Sequence, residues 1–219
     1  MGWLEDKGHD SMVVALIRRA VKDSGPKAQR QAAKLRKKHP ELSMRELVER
    51  VDNDFKRLTV VEGAAAGAAA VMPGIGTIAA LVLAAGEAGL FLFASARYIL
   101  TRAALEDMDP EDFDSRLTLV MASMLGPSGV ATASQASPQT ERVWARTLAQ
   151  QRSASRGKLQ QGLGRTFISR YLIRKGAGIF GRLLPFGVGA LIGGLANHAG
   201  SKTVIEGADA AFGHNISTL

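Results

Sequence analysis

The sequence predicts an all-α fold: a helical bundle with two Gly/Ala-rich apolar hairpins and flanking basic amphipathic helices. Three observations carry that expectation. Apolar side chains recur at helical spacing along most of the chain, and no segment alternates as a strand would. Aromatic residues are only 5% of the 219 residues against 46% apolar in all, so Leu, Val, Ile, Ala and Gly must fill the core. Charge and apolarity also fall in separate blocks. Residues 18–57 carry 13 basic and 6 acidic side chains, whereas residues 58–101 carry only Glu62, Glu87 and Arg97. Six acids against one Arg follow in residues 102–115, and 11 basic residues against one acid in 116–182.

Residues 1–42 read as basic amphipathic N-terminal helices. Asp10 and Ser11 can cap the first. It places Met12, Val13, Leu16, Ile17 and Ala20 on one face, with Arg18, Arg19 and Lys22 on another. Ser24-Gly25-Pro26 is expected to end it. Lys27–His39 then forms a strongly basic helix whose apolar face is little more than Ala28, Ala32 and Leu35, and Pro40 closes it.

Residues 43–126 make the first half of the core. Ser43 and Glu46 form a capping box, each able to satisfy the other's free backbone N–H. The helix they start puts Met44, Leu47, Val48, Val51, Phe55 and Leu58 on one stripe and runs into the apolar block Leu58–Met72. Pro73-Gly-Ile-Gly-Thr77 turns the chain, and a return helix to Leu105 completes an apolar hairpin over 58–105. Gly63, Gly67, Gly86 and Gly89 supply small faces for close helix approach. Asp109 is placed as the next N-cap, Pro110 at the first helical position, and Phe113, Leu117, Val120, Met121 and Met124 as the buried stripe.

Residues 127–140, rich in Ser, Ala and Gly, read as a flexible linker. Residues 141–219 are the second half of the core. There Val143, Trp144 and Leu148 oppose Arg142, Arg146 and Arg152, and a helix near 166–175 opposes Phe167, Tyr171 and Leu172 to Arg170 and Arg174. A second apolar segment spans 183–200, and a last helix, Thr203–Phe212, buries Val204, Ile205, Ala208 and Phe212.

The residues point away from an enzyme. Cysteine is absent, which removes thiolate chemistry and Cys-ligated metals. His9, His39, His198 and His214 lack metal-ligand spacing. Asp107, Asp109 and Glu111 alternate as in a calcium loop, but Asp112 stands where Gly is required and Thr118 where Glu is required. Gly194–Thr203 resembles a phosphate loop, but Ser201 separates Gly200 from Lys202. No nucleophile, base and orienting group assemble, and no cofactor is implied.

Four polar residues in apolar segments stand out as functional candidates: Glu87, Arg97, Asn197 and His198. Glu87 needs a partner, such as Arg165, Arg170 or Arg182, or a polar cavity. Asn197 and His198 read as a helix-end cap and an interfacial polar pair. The basic residues Arg18, Arg19, Lys34, Arg36, Lys37, Lys38, Arg170, Arg174 and Lys175 are placed on an anionic membrane surface. The net charge of +8 admits nucleic acid as a rival partner, but no aromatic-interleaved basic motif supports it.

The stretch GAAAGAAAVMPGIGT, the helix through Glu87 to Arg97, and ALEDMDPEDFDSRLTLVMASMLG resemble the core of the EcsC family. LLPFGVGALIGGLANH, with the helix ending in Phe212, resembles that family's closing motif. The resemblance covers residues 43–126 and 163–213. It implies a bacterial, membrane-associated protein, linked by the family's name to an ABC-transporter pair, and supplies no catalytic residues. Glu87 stands where the family pattern suggests Asp, and residues 18–42 have no counterpart.

Together these readings lead to a non-enzymatic helical protein, peripheral or re-entrant on the cytoplasmic face of a bacterial membrane, with a possible protein partner in a transport or secretion system. The alternatives are a soluble carrier of a lipid-like ligand anchored by Glu87, and a pore-forming protein. Leu58–Met72 is 15 residues, short of the roughly 20 a spanning helix needs. The start of the chain lacks a basic region leading into an apolar stretch, so the sequence predicts no secretory signal peptide.

Overall fold

The computed structural model describes residues 6–69, 77–135, 144–150, 162–163, 166 and 188–214. Within them the chain is all-helical, with seven helices packed on one another. In order these are α1 (Asp6–Lys38), α2 (Met44–Ala69), α3 (Thr77–Leu105), α4 (Phe113–Met124), α5 (Pro127–Gln135), α6 (Trp144–Gln150) and α7 (Val188–Phe212). Among the described residues no helix is long and apolar enough to cross a membrane.

α1 is one continuous helix, although Ser24-Gly25-Pro26 was expected to break it. Pro26 and Lys22 both lie on the exposed side. Water can therefore reach the Lys22 carbonyl that the proline ring leaves without its helical donor. The inner side of α1 carries Ala20, Ser24, Ala28 and Ala32, all buried and spaced four apart. This line of small residues packs on α3, so Ala28 and Ala32 are the contact itself rather than a weak apolar face. α1 and α3 run in the same direction: Gln31 meets Arg97, and Arg36 meets Leu105 and Asp107.

α2 opens with the expected capping box. The Ser43 backbone N–H donates to Glu46 Oε2 at 2.7 Å, and the Glu46 N–H donates back to Ser43 Oγ at 3.3 Å. Leu47, Val48, Val51 and Phe55 are buried as expected, but Met44 and Leu58 at the two ends of the stripe are exposed. α2 pairs antiparallel with α3, Phe55 stacking on Tyr98 at 4.4 Å between ring centroids.

Three further expectations need correction. Asp112, not Asp109, caps α4, accepting from the Ser115 N–H at 2.8 Å, because Asp109 is engaged by Arg116 and Gln29. Residues 127–135 of the expected linker are helix α5, whose Gly129, Val130 and Ala133 are buried. Small residues there serve close packing rather than mobility. From Val188 the second apolar segment and the last helix are one helix, α7, so positions 197 and 198 lie inside it rather than at an end. The expected turn at 73–76, the helix near 166–175 and residues 183–187 fall outside the described residues.

α7 runs parallel to α3, with Gly200 under the Phe91 ring and Asp209 at Arg102. α4 crosses α7 where Gly207 meets the Ser123 carbonyl, close enough that a Cβ would collide with it. At Gly89 of α3 a Cβ would meet nothing within 4 Å. Gly207→Ala should therefore destabilise the fold by about 1–3 kcal/mol. Gly89→Ala should stabilise it by about 0.5–1 kcal/mol, both read by denaturant melts.

Candidate functional site: a buried arginine cluster and a basic face

Tyr98 and Arg102 of α3 and Glu106, the first residue past its end, fall at successive spacings of four, on one line that the Glu106 N–H continues by donating to the Arg102 carbonyl at 2.9 Å. The Arg102 side chain is fully buried, and every direction around it is filled. Nε and Nη2 donate to Glu106 Oε1 at 3.3 Å. Nη1 donates to Asp209 Oδ1 of α7 at 2.7 Å and to the Tyr98 hydroxyl at 3.1 Å. Asp52 of α2 lies 3.6 Å away and accepts the Tyr98 hydroxyl proton at 2.7 Å. Nη2 lies 3.1 Å from His214 Nδ1, and the Phe212 ring centroid sits 5.3 Å from the guanidinium carbon.

Burial and charge oppose one another at this centre. Burial works against the Arg102 charge, but Tyr98, Asp52 and Glu106 outweigh it and raise the pKa further, so Arg102 stays cationic. Burial pushes the Asp52 carboxyl above its ordinary value, with Arg102 offsetting only part of the rise. Burial likewise drives the Tyr98 phenol well above its ordinary range, which keeps it a neutral donor. The cluster thus ties α2, α3 and α7 at one point. Its chemistry is that of a joint, with one cation shared among Asp52, Glu106 and Asp209.

The second feature is the outer side of α1. Arg19, Lys22, Lys27, Arg30, Lys34, Lys37 and Lys38 are all exposed on it, with Asp23 paired to Arg19 at 3.7 Å. Successive positions advance by roughly 100°, which places these seven basic side chains on one broad face, opposite the buried line of Ala20 to Ala32.

The structure sorts the residues that the sequence singled out. Arg19, Lys34, Lys37 and Lys38 belong to this face. Arg18 is exposed but lies over the Phe113 ring at 5.0 Å. Arg36 does not belong to it: the guanidinium donates to the Leu105 carbonyl and pairs with Asp107 at 3.0 Å, closing the C-terminus of α3. Arg97 is exposed and donates to Gln31 at 2.8 Å, and His198 is exposed on α7. Glu87 and Asn197 lie on α3 and α7, but their side chains are outside the described set, as are Arg170, Arg174 and Lys175.

An open groove of about 390 Å³ lies between α1 and the turn after α3. Ala32, Ala33 and Ala104 line it together with Arg36, Arg116 and Asp109, among others. Its lining is mixed, with Gln29, Asp107 and Glu111 completing the set, and excludes Arg102. Among the described residues no group of three or more His, Asp or Glu could hold a metal ion.

Sequence reasoning missed Arg102, Asp52, Asp209 and His214. The detectable signal was the Tyr98–Arg102–Glu106 ladder on a helix otherwise almost free of charge. No protein-family model, curated protein or solved structure matches the chain. Replacing Arg102 by Leu would strand three carboxylates in the core, and should cost about 3–5 kcal/mol in a urea melt. Replacing exposed Arg97 by Leu should change stability by less than about 0.5 kcal/mol.

Proposed function

We propose that this chain is a non-enzymatic helical protein that binds anionic membrane surfaces through the outer face of α1, on the cytoplasmic side of a bacterial membrane. The observation that carries the reading is the division of α1 into two faces. Its small-residue side is used up on α3, and seven basic residues remain outside. A free amphipathic helix would bury its apolar side in lipid. Over Ile17–Ala32 the apolar side of α1 is buried within the bundle, so the attraction of this stretch to a bilayer is electrostatic.

Arg19 to Lys38 covers about 30 Å at 1.5 Å per residue, enough to meet several headgroups at once. Each Lys or Arg held near an anionic surface contributes about 1 kcal/mol, so the face as a whole supports reversible binding. Apolar side chains are exposed nearby in the fold. Leu90 is 56% exposed and lies seven residues before Arg97, on the same side of α3. Arg97 reaches α1 through Gln31, so this line borders the basic face. Val61 and Leu58 of α2 are exposed at the same level of the hairpin.

The resemblance to the EcsC family supports the same reading, with an accessory part in a transport or secretion system. Lipid carriage gains little from the groove, where Gln29 and five charged side chains surround three alanines. Vesicle co-sedimentation tests the proposal. Binding should require anionic lipid and weaken steeply with salt. Lys27→Gln, Arg30→Gln, Lys34→Gln and Lys37→Gln combined should lower affinity about a hundredfold or more. Equal binding to neutral vesicles would contradict it, as would tight salt-sensitive binding to duplex DNA with none to vesicles.

A further inference from the structure

We propose that the end of α7 is a proton-operated clasp on α3, closed more tightly on the acid side of neutrality, with His214 as its moving charge. The placement of His214 carries the proposal. Gly213 takes a φ of +76°, and the His214 N–H donates to the Asp209 carbonyl at 2.8 Å. This left-handed ending fixes where the chain after α7 points. It aims the imidazole at both members of the Arg102–Glu106 ion pair: Nε2 is 2.9 Å from Glu106 Oε2, and Nδ1 is 3.1 Å from Arg102 Nη2.

The charged groups around the imidazole come from three helices. Arg102 belongs to α3, with Glu106 next after its last residue, Asp209 to α7, and Asp52 to α2, with Lys56 one turn beyond Asp52. Arg102 against three carboxylates leaves the core of the cluster at −2 when the ring is neutral and −1 when it is protonated. The neutral ring, with its proton on Nε2, donates to Glu106 and accepts from Arg102. The protonated ring keeps Glu106 in a charge-assisted bond and leaves Arg102 to its carboxylates. The excess negative charge beside the half-exposed ring favours the second state.

The sign follows from linkage. The hydrogen bond to Glu106 raises the His214 pKa above its ordinary value, against the effect of burial. A raised folded-state pKa gives stability that is complete below the unfolded value, roughly 6.5, and lost as pH rises through the folded value. Asp52, also raised, acts in the same direction in a more acidic range.

Amide hydrogen exchange on the full chain tests the clasp. Protection of the Val204–Phe212 amides, corrected for intrinsic rates, should be at least about threefold higher near pH 6 than near pH 8. The amides of Ala28 to Ala32 in α1 should show no such ratio. His214→Gln should abolish the ratio while leaving the fold intact, and Glu106→Gln should shrink it. Equal protection at the two pH values would overturn the proposal, as would the same ratio in His214→Gln or in α1. Should Glu106→Gln fail to fold, an NMR titration of His214 in the native chain decides. A pKa above the unfolded value is expected, and one at or below it overturns the clasp.

Discussion

A guanidinium taken wholly out of water costs several kcal/mol in lost hydration, and only oxygen atoms arranged around it can offset that cost. Arg102 meets that demand with Tyr98 from its own helix, Glu106 from just past that helix's end, Asp52 from α2, and Asp209 from α7. No single helix can supply the whole set. The guanidinium is satisfied only when α2 and α7 are both in place, at the register that brings position 52 and position 209 to position 102. Leu and Ala packing is tolerant of sliding, and a core of this composition needs something that is not. A removed partner leaves a buried charge behind, so the cluster penalises wrong registers more than it rewards the right one.

The rest of the architecture follows from that register. With position 102 fixed against 52 and 209, Phe91 falls against Gly200 and Phe55. The C-terminal half of α2 and the N-terminal halves of α3 and α7 therefore extend to the same end of the bundle. Those stretches carry few charges, Arg57 and Glu62 in α2, Glu87 in α3 and none over Val188–Asn197. At the other end lie the acidic turn after α3 and its partners Arg36, Arg116 and His214. α1 bridges the length on its alanine line, presenting its basic face outward. The molecule thus has a low-charge end, an acidic and internally paired end, and a basic side.

Much of this arrangement was legible in the residues. The helical class, the capping box at Ser43 and Glu46, and the buried faces of α2, α4 and the end of α7 follow from periodicity and local hydrogen-bonding chemistry. The errors share a physical origin. Pro26 and the small residues of 127–135 signal breaks or mobility when read locally, yet solvent access at Lys22 and close packing at Val130 and Ala133 preserve helix. Asp109 has the makings of a cap, but Arg116 holds it elsewhere at 2.8 Å. Arg102 went unnoticed because its partners are 50 and 107 residues away along the chain. A long-range ion pair leaves no periodic trace. Of the basic residues assigned to a surface, Arg36 was drawn inward to close α3, a role that only tertiary contact reveals.

The joint and the basic face divide the work. The face needs a rigid support, since charges spread over 30 Å of helix act together only if the helix is held straight against α3. The joint supplies part of that support by fixing α3 within the bundle. A double-mutant cycle pairing Arg102→Met with Asp209→Asn tests the central claim most directly. If the guanidinium joins the helices, the two changes will be strongly non-additive, with a coupling of about 1.5 kcal/mol or more and the double variant more stable than the single Arg102→Met chain. Additivity within about 0.3–0.5 kcal/mol would contradict the account.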